Sequence, residues 1–249
     1  MRKYAALEQD AVAAGRELQV NSVLEGNVQK IGDRIRLSGR LINVTDGSSL
    51  WAGTFDEKFT DVFAVQDAIS QKVADALALR LNGEEQNRLK KRYTDNVEAY
   101  QLYITGRYHW RKLTPPDLRK AISFFQQAID LDPNYTLAYF GLADAYRGLA
   151  PAADVPAKDI LPQAKVAATK AVELDPSLAE PHATLAFIHA WFDWDWAGSQ
   201  REAKRAIELN PNWAIGHIAY AAVLSHLGRD DEAIKEAARP GAGPALLIR

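Results

Sequence analysis

The chain has 249 residues, of which 47% are hydrophobic and 25% are charged, with a formal net charge of −2 at pH 7. This composition is typical of a globular protein with one or two buried cores, and the balanced charge provides no basic field that would attract nucleic acid. Cysteine is absent, which excludes disulfides and thiolate metal sites, and no apolar run approaches the roughly 18 residues of a membrane span.

Residues 1–82 have the pattern of a small α/β domain. Strands are predicted at residues 23–29, 34–44 and 49–55. In the second of these, Leu37 and Leu41 alternate with polar residues, which is the period of a strand with one buried face. The Asp46-Gly47 pair fits a tight hairpin, because glycine accepts the positive φ of such a turn. Apolar residues at helical spacing in residues 59–77 predict a helix that packs on one face of this antiparallel meander.

Residues 13–69, from AAGRELQVNSVLEGNVQ to FAVQDAI, resemble the TolB N-terminal-like domain of bacterial signalling proteins. The resemblance implies that an upstream part would be a winged-helix DNA-binding domain of the OmpR/ToxR type, a kinase domain or a nucleotide cyclase domain. That family has further strands and a helix before the segment that matches residues 2–15. Residues 1–82 are therefore expected to be a partial domain, and the chain to be a fragment of a longer protein.

Residues 83–95 are expected to link this domain to a helical region. They contain the one dense basic cluster of the sequence, RLKKR at residues 88–92. A solvated helix face explains such a cluster better than phosphate binding does. We therefore expect no nucleic acid to bind this chain.

The helical region carries a repeated stop signal. Three times an alanine-rich helical pattern ends in an aspartate or asparagine followed by proline, which we call a proline pair. The pairs are Asp132-Pro133, Asp175-Pro176 and Asn210-Pro211. Proline cannot continue a helix, and it disfavours helical backbone at the residue before it, so each pair predicts a helix end. The prolines are 43 and 35 residues apart. A period of about 34 residues with two helices per unit is the signature of a helical solenoid.

The segments AISFFQQAIDLDPN, LAYFGLADAYRGL and AKRAIELNPN resemble the tetratricopeptide repeat family, and the resemblance covers residues 96–239. About three and a half units are expected, at residues 96–134, 135–177, 178–212 and from 213 onward. Residues 149–162 are predicted to be an inserted loop or a lengthened helix start, and residues 240–249 a non-repeat tail. The expected fold class is α+β: a small antiparallel β-meander with a helix, followed by an all-α helical solenoid.

The resemblance also implies a binding groove lined by the first helix of each unit. The candidate groove residues are Leu137, Phe140, Asp144, Arg147, Glu180, Phe187, Ile215 and Ile218. Phe140 and Phe187 are expected to be partly exposed, and Tyr139, Leu142 and Leu185 to be buried. Such a groove would bind an apolar or helical protein segment rather than an acidic tail. The alternative is that these residues pack against the meander domain or against a second copy of the chain.

Catalytic signals are weak throughout the sequence. The five histidines form no metal-binding or catalytic motif, and His182 and His189 are interpreted as packed between helices. Motifs for nucleophile elbows, phosphate loops and dinucleotide binding are absent. The segment WFDWDW at residues 191–196 could bind sugars or cations, but a turn with an aspartate cap and buried tryptophans is the preferred interpretation. No catalytic residue, cofactor or metal is therefore expected.

The sequence thus predicts a non-enzymatic protein–protein interaction or sensor region of a bacterial regulatory or signalling protein. One alternative is a domain that senses a small molecule or an envelope component. Another is the regulatory portion of an adenylate cyclase or kinase whose catalytic domain lies elsewhere. The isolated chain is expected in the cytoplasm, or outside it if a membrane span precedes it in the full-length protein.

Overall fold

The computed structural model describes residues 10–17, 20–32, 34–58, 69, 72–75, 91–151 and 155–238. The chain divides into two compact units, Met1–Arg92 and Tyr93–Arg249. Among the described residues, no helix combines the length and the apolar character needed to cross a membrane.

The first unit contains the predicted three-stranded meander. Its elements are α1 (Ala11–Glu17), β1 (Ser22–Ile31), β2 (Arg34–Asn43) and β3 (Ser49–Lys58). The strands are antiparallel and adjacent in chain order. Gly32 and Gly47 lie in the two connecting turns with φ of 63° and 73°, a conformation that favours glycine. The helix predicted at residues 59–77 lies largely outside the described residues, although residues 72–75 are helical.

One face of the sheet is built around a tryptophan that lies over glycines. Gly39 pairs with Gly53 across β2 and β3, and a Cβ atom at Gly53 would lie only 2.6 Å from the Trp51 ring. On the opposite face, α1 approaches the sheet so closely that a Cβ atom on Gly15 would clash with a methyl carbon of Val44. These glycines therefore allow the ring and the helix to lie against the backbone.

The second unit is a row of helices. Its helices are α2 (Val97–Trp110), α3 (Pro115–Leu131), α4 (Thr136–Leu149), α5 (Ala157–Leu174), α6 (Ala179–Ile188), α7 (Trp196–Leu209), α8 (Ala214–His226) and α9 (Asp230–Ala237). They pack as four consecutive pairs, and the first helices of neighbouring pairs, α2, α4, α6 and α8, also pack side by side. This arrangement confirms the predicted helical solenoid and the α+β fold class.

The proline pairs end the helices as predicted. Helices α3, α5 and α7 stop at a leucine. The next residue has an extended backbone at Asp132 and Asp175 and a non-helical one at Asn210, with φ of −143° and ψ of 85°. The Asp132 and Asp175 carboxylates then accept hydrogen bonds from backbone amides two residues later, at 3.0 and 3.1 Å. An acidic residue before proline therefore both ends the helix and stabilises the turn that follows.

The predicted insertion is partly helical. Helix α4 ends at Leu149, and α5 begins at Ala157 and contains Pro162. The later half of residues 149–162 is therefore a lengthened helix start.

Small residues allow the first helices α2 and α4 to pack closely against a ring of α3. Phe125 of α3 is fully buried, and Cβ atoms built on Gly106 of α2 and Gly141 of α4 would lie 2.6 and 2.7 Å from its ring. Ala143 of α4 and Ala186 of α6 are also buried. The core thus combines one large side chain with small residues on both sides.

Three histidines connect the two helices of a pair. His109, His182 and His217 each place Nδ1 2.7 to 2.8 Å from a carboxylate of the next helix, that of Asp117, Glu202 or Glu236. The prediction of packed interhelical histidines is therefore confirmed for His182. His189 instead contacts Asp193 of its own turn, at 2.8 Å.

Candidate functional site

The eight predicted groove residues lie on three of the first helices, α4, α6 and α8. These helices are neighbours in the row, so the structure brings the residues onto adjacent elements. Ile215 and Ile218 of α8 pack against the cluster that contains Phe187. We call the surface formed by α2, α4, α6 and α8 the first-helix surface.

The exposure expected of two phenylalanines is wrong. Phe140 and Phe187 are only 9% and 7% exposed. The guanidinium of Arg107 lies 5.9 Å from the centre of the Phe140 ring, and that of Arg147 lies 5.2 Å from the Phe187 ring. The arginines cover the aromatic rings and hold them away from water.

The exposure of the residues expected to form the core differs less from that of Phe140 and Phe187 than predicted. Leu142 and Leu185 are buried as expected, whereas Tyr139 is half-buried. Burial alone therefore does not separate core positions from positions on the first-helix surface.

Arg147 is neutralised within its own helix. Its Nε donates a hydrogen bond of 2.9 Å to Asp144, and a second bond runs from its terminal nitrogen to the same oxygen. The Asp144 side chain is buried. The guanidinium is thus fixed over Phe187, with its charge balanced by a close carboxylate.

Arg107 of α2 has no such partner, and the sequence reasoning did not select it. Its guanidinium lies 4.7 Å from the centre of the Trp110 ring and 5.9 Å from that of Phe140. Among the described residues, none forms an ion pair or a hydrogen bond with this guanidinium. The guanidinium lies against two aromatic rings, and the five N–H donors along its edge are therefore available.

A signal in the sequence could have identified Arg107. It directly follows Gly106, just as Asp144 follows Ala143 and Phe187 follows Ala186. The residue after the small contact residue lies on the first-helix surface in each of these units. Applying this offset to the first unit selects Arg107.

Glu180 of α6 contributes a carboxyl group to the same surface. Burial raises the pKa of Glu180, and the nearby charge of Asp175 adds to the increase, while Arg107 partly opposes it. No ion pair joins Glu180 to a described basic residue. The first-helix surface thus contains Arg107 and Glu180 as charged side chains outside the Asp144–Arg147 pair.

The tryptophans at residues 191–196 are more exposed than predicted. After α6 the chain makes a π-helical turn, His189–Asp193, that ends at Trp194 with a left-handed φ of 56°. Trp191 and Trp194 are 52% and 71% exposed, so the prediction of burial is wrong for both. The predicted aspartate cap is confirmed, because Asp195 accepts a hydrogen bond of 2.8 Å from the Gly198 amide.

These tryptophans extend the aromatic surface beside Phe187. The Trp191 and Phe187 rings are 4.8 Å apart, and Trp196 stacks on His226 of α8 at 5.0 Å.

In the part of the chain that the structure describes, no group of three or more histidine, aspartate or glutamate side chains could hold a metal ion.

Comparison with known proteins gives bacterial relatives, while no family model matches the chain. The putative adenylate cyclase 3 of Rhizobium meliloti (strain 1021) is 30% identical over 196 residues, which covers 76% of this chain and 32% of that protein. The transcriptional regulator HilA of Salmonella typhimurium is 24% identical over 107 residues, which covers 43% of this chain and 19% of that protein. The chain therefore spans a third or less of the length of these relatives.

Among solved structures, a thermophilic tetratricopeptide repeat protein from Thermus thermophilus is similar, with a TM-score of 0.51 and 21% identity. The similarity covers 72% of this chain and 84% of that one. The helices of the second unit therefore have the tetratricopeptide repeat fold.

Proposed function

We propose that this chain is the interaction region of a bacterial regulatory or signalling protein, and that its first-helix surface binds a segment of a protein partner. The observation that carries the proposal is the side-by-side packing of α2, α4, α6 and α8, with arginine, aromatic and aliphatic side chains on one surface. Helical solenoids use such extended surfaces to bind other proteins.

The surface offers more than one kind of contact. Leu137, Ile215 and Ile218 are only half-buried, so part of their apolar area is free for a partner. Trp191 is exposed on the π-helical turn, with its ring 4.8 Å from that of Phe187. Aromatic and arginine side chains dominate the binding energy of many protein interfaces.

The regulatory role is supported by the relatives, whose names are those of a transcriptional regulator and a putative adenylate cyclase. A second candidate is the regulatory portion of an adenylate cyclase. It is favoured by the 196-residue match to the cyclase, which is longer than the second unit and therefore includes residues of the first unit. In this candidate, catalysis belongs to residues outside this chain.

Selection from a random peptide library tests the interaction role. The immobilised chain should enrich peptides relative to the bare matrix. Leu137→Ser combined with Ile218→Ser should weaken binding of the enriched peptides, because both side chains lie on the first-helix surface. Ile234→Ser is the matched control, since Ile234 is an exposed isoleucine on α9. Circular dichroism melts of each variant monitor the fold.

The outcomes are distinct. Failure to enrich any peptide overturns the interaction role, and enriched peptides that bind a folded double variant as tightly as the wild type place the binding elsewhere. Sequencing the gene upstream of the codon for Met1 separates the two candidates. A cyclase domain there supports the second, and a winged-helix domain supports a transcriptional regulator.

A further inference from the structure

The turn that follows α6 contains a tryptophan whose placement stability alone does not explain. Trp194 has a left-handed backbone with φ of 56°, and its side chain is 71% exposed. A bulky residue is strained in this conformation, which glycine adopts freely, and an exposed indole leaves a large apolar area in contact with water. Strained backbone and π-helical turns both occur often at functional sites. Burial offsets neither cost at Trp194, so its ring is a candidate for contact with a ligand.

The Trp194 ring is held in place by an aromatic stack. It meets the Trp196 ring at 5.8 Å with an interplanar angle of 83°. Trp196 in turn lies on the His226 ring of α8, at 5.0 Å and 25°. An edge-to-face pair is a favourable arrangement of two aromatic rings, and it restricts the orientation of the exposed member. Trp194 therefore presents a flat apolar surface whose ordering cost is already partly met.

Polar groups flank this tryptophan in the chain. Asp195 uses Oδ1 to cap the first turn of α7. Its Oδ2 lies 3.9 Å from Nδ1 of His189, too far for a hydrogen bond, and the side chain is 48% exposed. On the other side, Asp193 accepts a hydrogen bond of 2.6 Å from the Lys165 ammonium, and this lysine side chain is 40% exposed. The turn thus combines an exposed carboxylate acceptor with an exposed ammonium donor.

This mixed set of donors and acceptors indicates which ligand fits. A cation would be repelled by the Lys165 ammonium, and an anion by the Asp195 carboxylate. A hydroxyl group both donates and accepts hydrogen bonds, so it can bind either of them. A neutral sugar ring carries hydroxyls around its rim and presents an apolar C–H face that can lie on an indole. The chemistry of the turn therefore favours a neutral sugar over a charged ligand.

We propose that this turn is a binding site for a neutral sugar, in which a pyranose ring lies on Trp194 and its hydroxyls bind Asp195 and Lys165. Small-molecule sites commonly combine aromatic area with a few well-placed polar groups. The aromatic stack and the cap of α7 position the indole and the carboxylate before the sugar binds. Sugar binding goes beyond the proposed interaction role and does not depend on it, because these three residues all lie outside the first helices.

Titration with neutral tetrasaccharides tests the site. Cellotetraose, maltotetraose, mannotetraose and chitotetraose are each titrated into the full chain in a calorimeter. We expect at least one to bind saturably, and saturation-transfer NMR should then show magnetisation reaching the protons on one face of a sugar ring.

Two variants compare the indole with another exposed aromatic ring. Trp194→Gly removes the indole and keeps the left-handed backbone, so it should weaken sugar binding by about tenfold or more. Its thermal melt should match or exceed that of the wild type, because the backbone strain is relieved. Tyr108→Ala is the matched control, since Tyr108 is an exposed aromatic residue of α2, and it should bind the sugar as the wild type does.

A third variant tests the polar contact. Asp195→Asn can keep the cap of α7, but it lacks the charge that strengthens a hydrogen bond from a hydroxyl. It should weaken sugar binding by about fivefold with an unchanged melt.

The results that overturn the sugar site leave the interaction role standing. Failure of all the tetrasaccharides to bind the wild type refutes the site, and so does binding to Trp194→Gly that equals binding to the wild type. Binding of choline without binding of any sugar would also refute it, because the turn would then recognise a cation. The peptide selection reads the first-helix surface independently, so its outcome is unaffected by any of these results.

Discussion

At the scale of single residues, the solenoid depends on a large ring held between two glycines. Phe125 is fully buried, and Gly106 and Gly141 face its ring from the first helices of two neighbouring pairs. Glycine inside a helix lowers helix stability by about 1 kcal/mol relative to alanine. Glycine is nevertheless favoured at these two positions, because the ring lies too close to the backbone for a Cβ atom.

Gly141→Ala is therefore expected to destabilise the second unit. The added Cβ would lie 2.7 Å from the Phe125 ring, and overpacking of this kind costs about 1 to 3 kcal/mol. Gly148→Ala, in the same helix, is the control, because its Cβ would meet only Leu118 at an ordinary 3.7 Å. The control should be neutral or slightly stabilising in urea unfolding. Equal unfolding free energies for the two variants would contradict the role of Gly141.

The histidine–carboxylate pairs make the stability depend on pH. The hydrogen bond from His182 lowers the pKa of Glu202. A carboxyl group whose pKa is lower in the folded state stabilises the protein above its unfolded pKa and loses that contribution as the pH falls through the folded value. The pair should therefore weaken as the pH is lowered through and below about 4.5.

Glu202→Gln should remove part of this acid sensitivity. We expect the variant to be less stable than the wild type near neutral pH and the difference to shrink as the pH approaches about 3. Thermal melts at several pH values measure the effect. Glu173→Gln is the control, because Glu173 is an exposed carboxylate paired with Lys170, and exposed pairs contribute little. A constant difference between Glu202→Gln and the wild type at all pH values would be evidence against the assignment.

At the scale of elements, a left-handed residue recurs in the turn that follows a first helix. The positions are Leu113 after α2, Trp194 after α6 and Gly228 after α8, with φ between 55° and 72°. Helices commonly end with glycine in this conformation, because a side chain crowds the following carbonyl. The first two turns therefore carry backbone strain that the last one avoids.

Leu113→Gly should relieve strain in the first turn. Leu113 is 60% exposed, so little packing is lost, and the expected gain is about 0.5 to 1 kcal/mol after the entropy of the unfolded glycine is counted. Gly228→Ala is the reverse change and should cost about 1 kcal/mol, because alanine is strained at this positive φ. No clash adds to that cost, since nothing lies within 4 Å of the added Cβ atom. Urea unfolding measures both. A stabilising Gly228→Ala would refute the strain argument.

The elements also show what could be read from the sequence. Proline pairs and helical spacing predicted the ends of α3, α5 and α7 because they act locally. The π-helical turn and the exposed Trp194 were not predictable, since no residue type specifies that turn or its left-handed end. The burial of Phe140 and Phe187 was missed for a different reason. It depends on how far an arginine side chain reaches from the preceding first helix, from Arg107 of α2 to Phe140 and from Arg147 of α4 to Phe187.

At the scale of the whole molecule, the second unit is held together by contacts between neighbouring helices. Helix α4 packs against helices on both sides, whereas α9 packs mainly against α8 among the described residues. The stability of such an array is approximately a sum of terms for each unit and each interface. The described helix with the fewest neighbours should therefore open most readily.

Native-state hydrogen exchange should reveal a gradient along the solenoid. Amides of α9 should exchange through local opening at a lower free energy than amides of α3 and α4, which surround the fully buried Phe125. Ile234 of α9 is exposed, so its replacement by serine should hardly alter protection elsewhere. If the second unit instead unfolded only globally, all three helices would share one exchange free energy. That result would mean that the interfaces couple the array more strongly than packing between neighbouring helices accounts for.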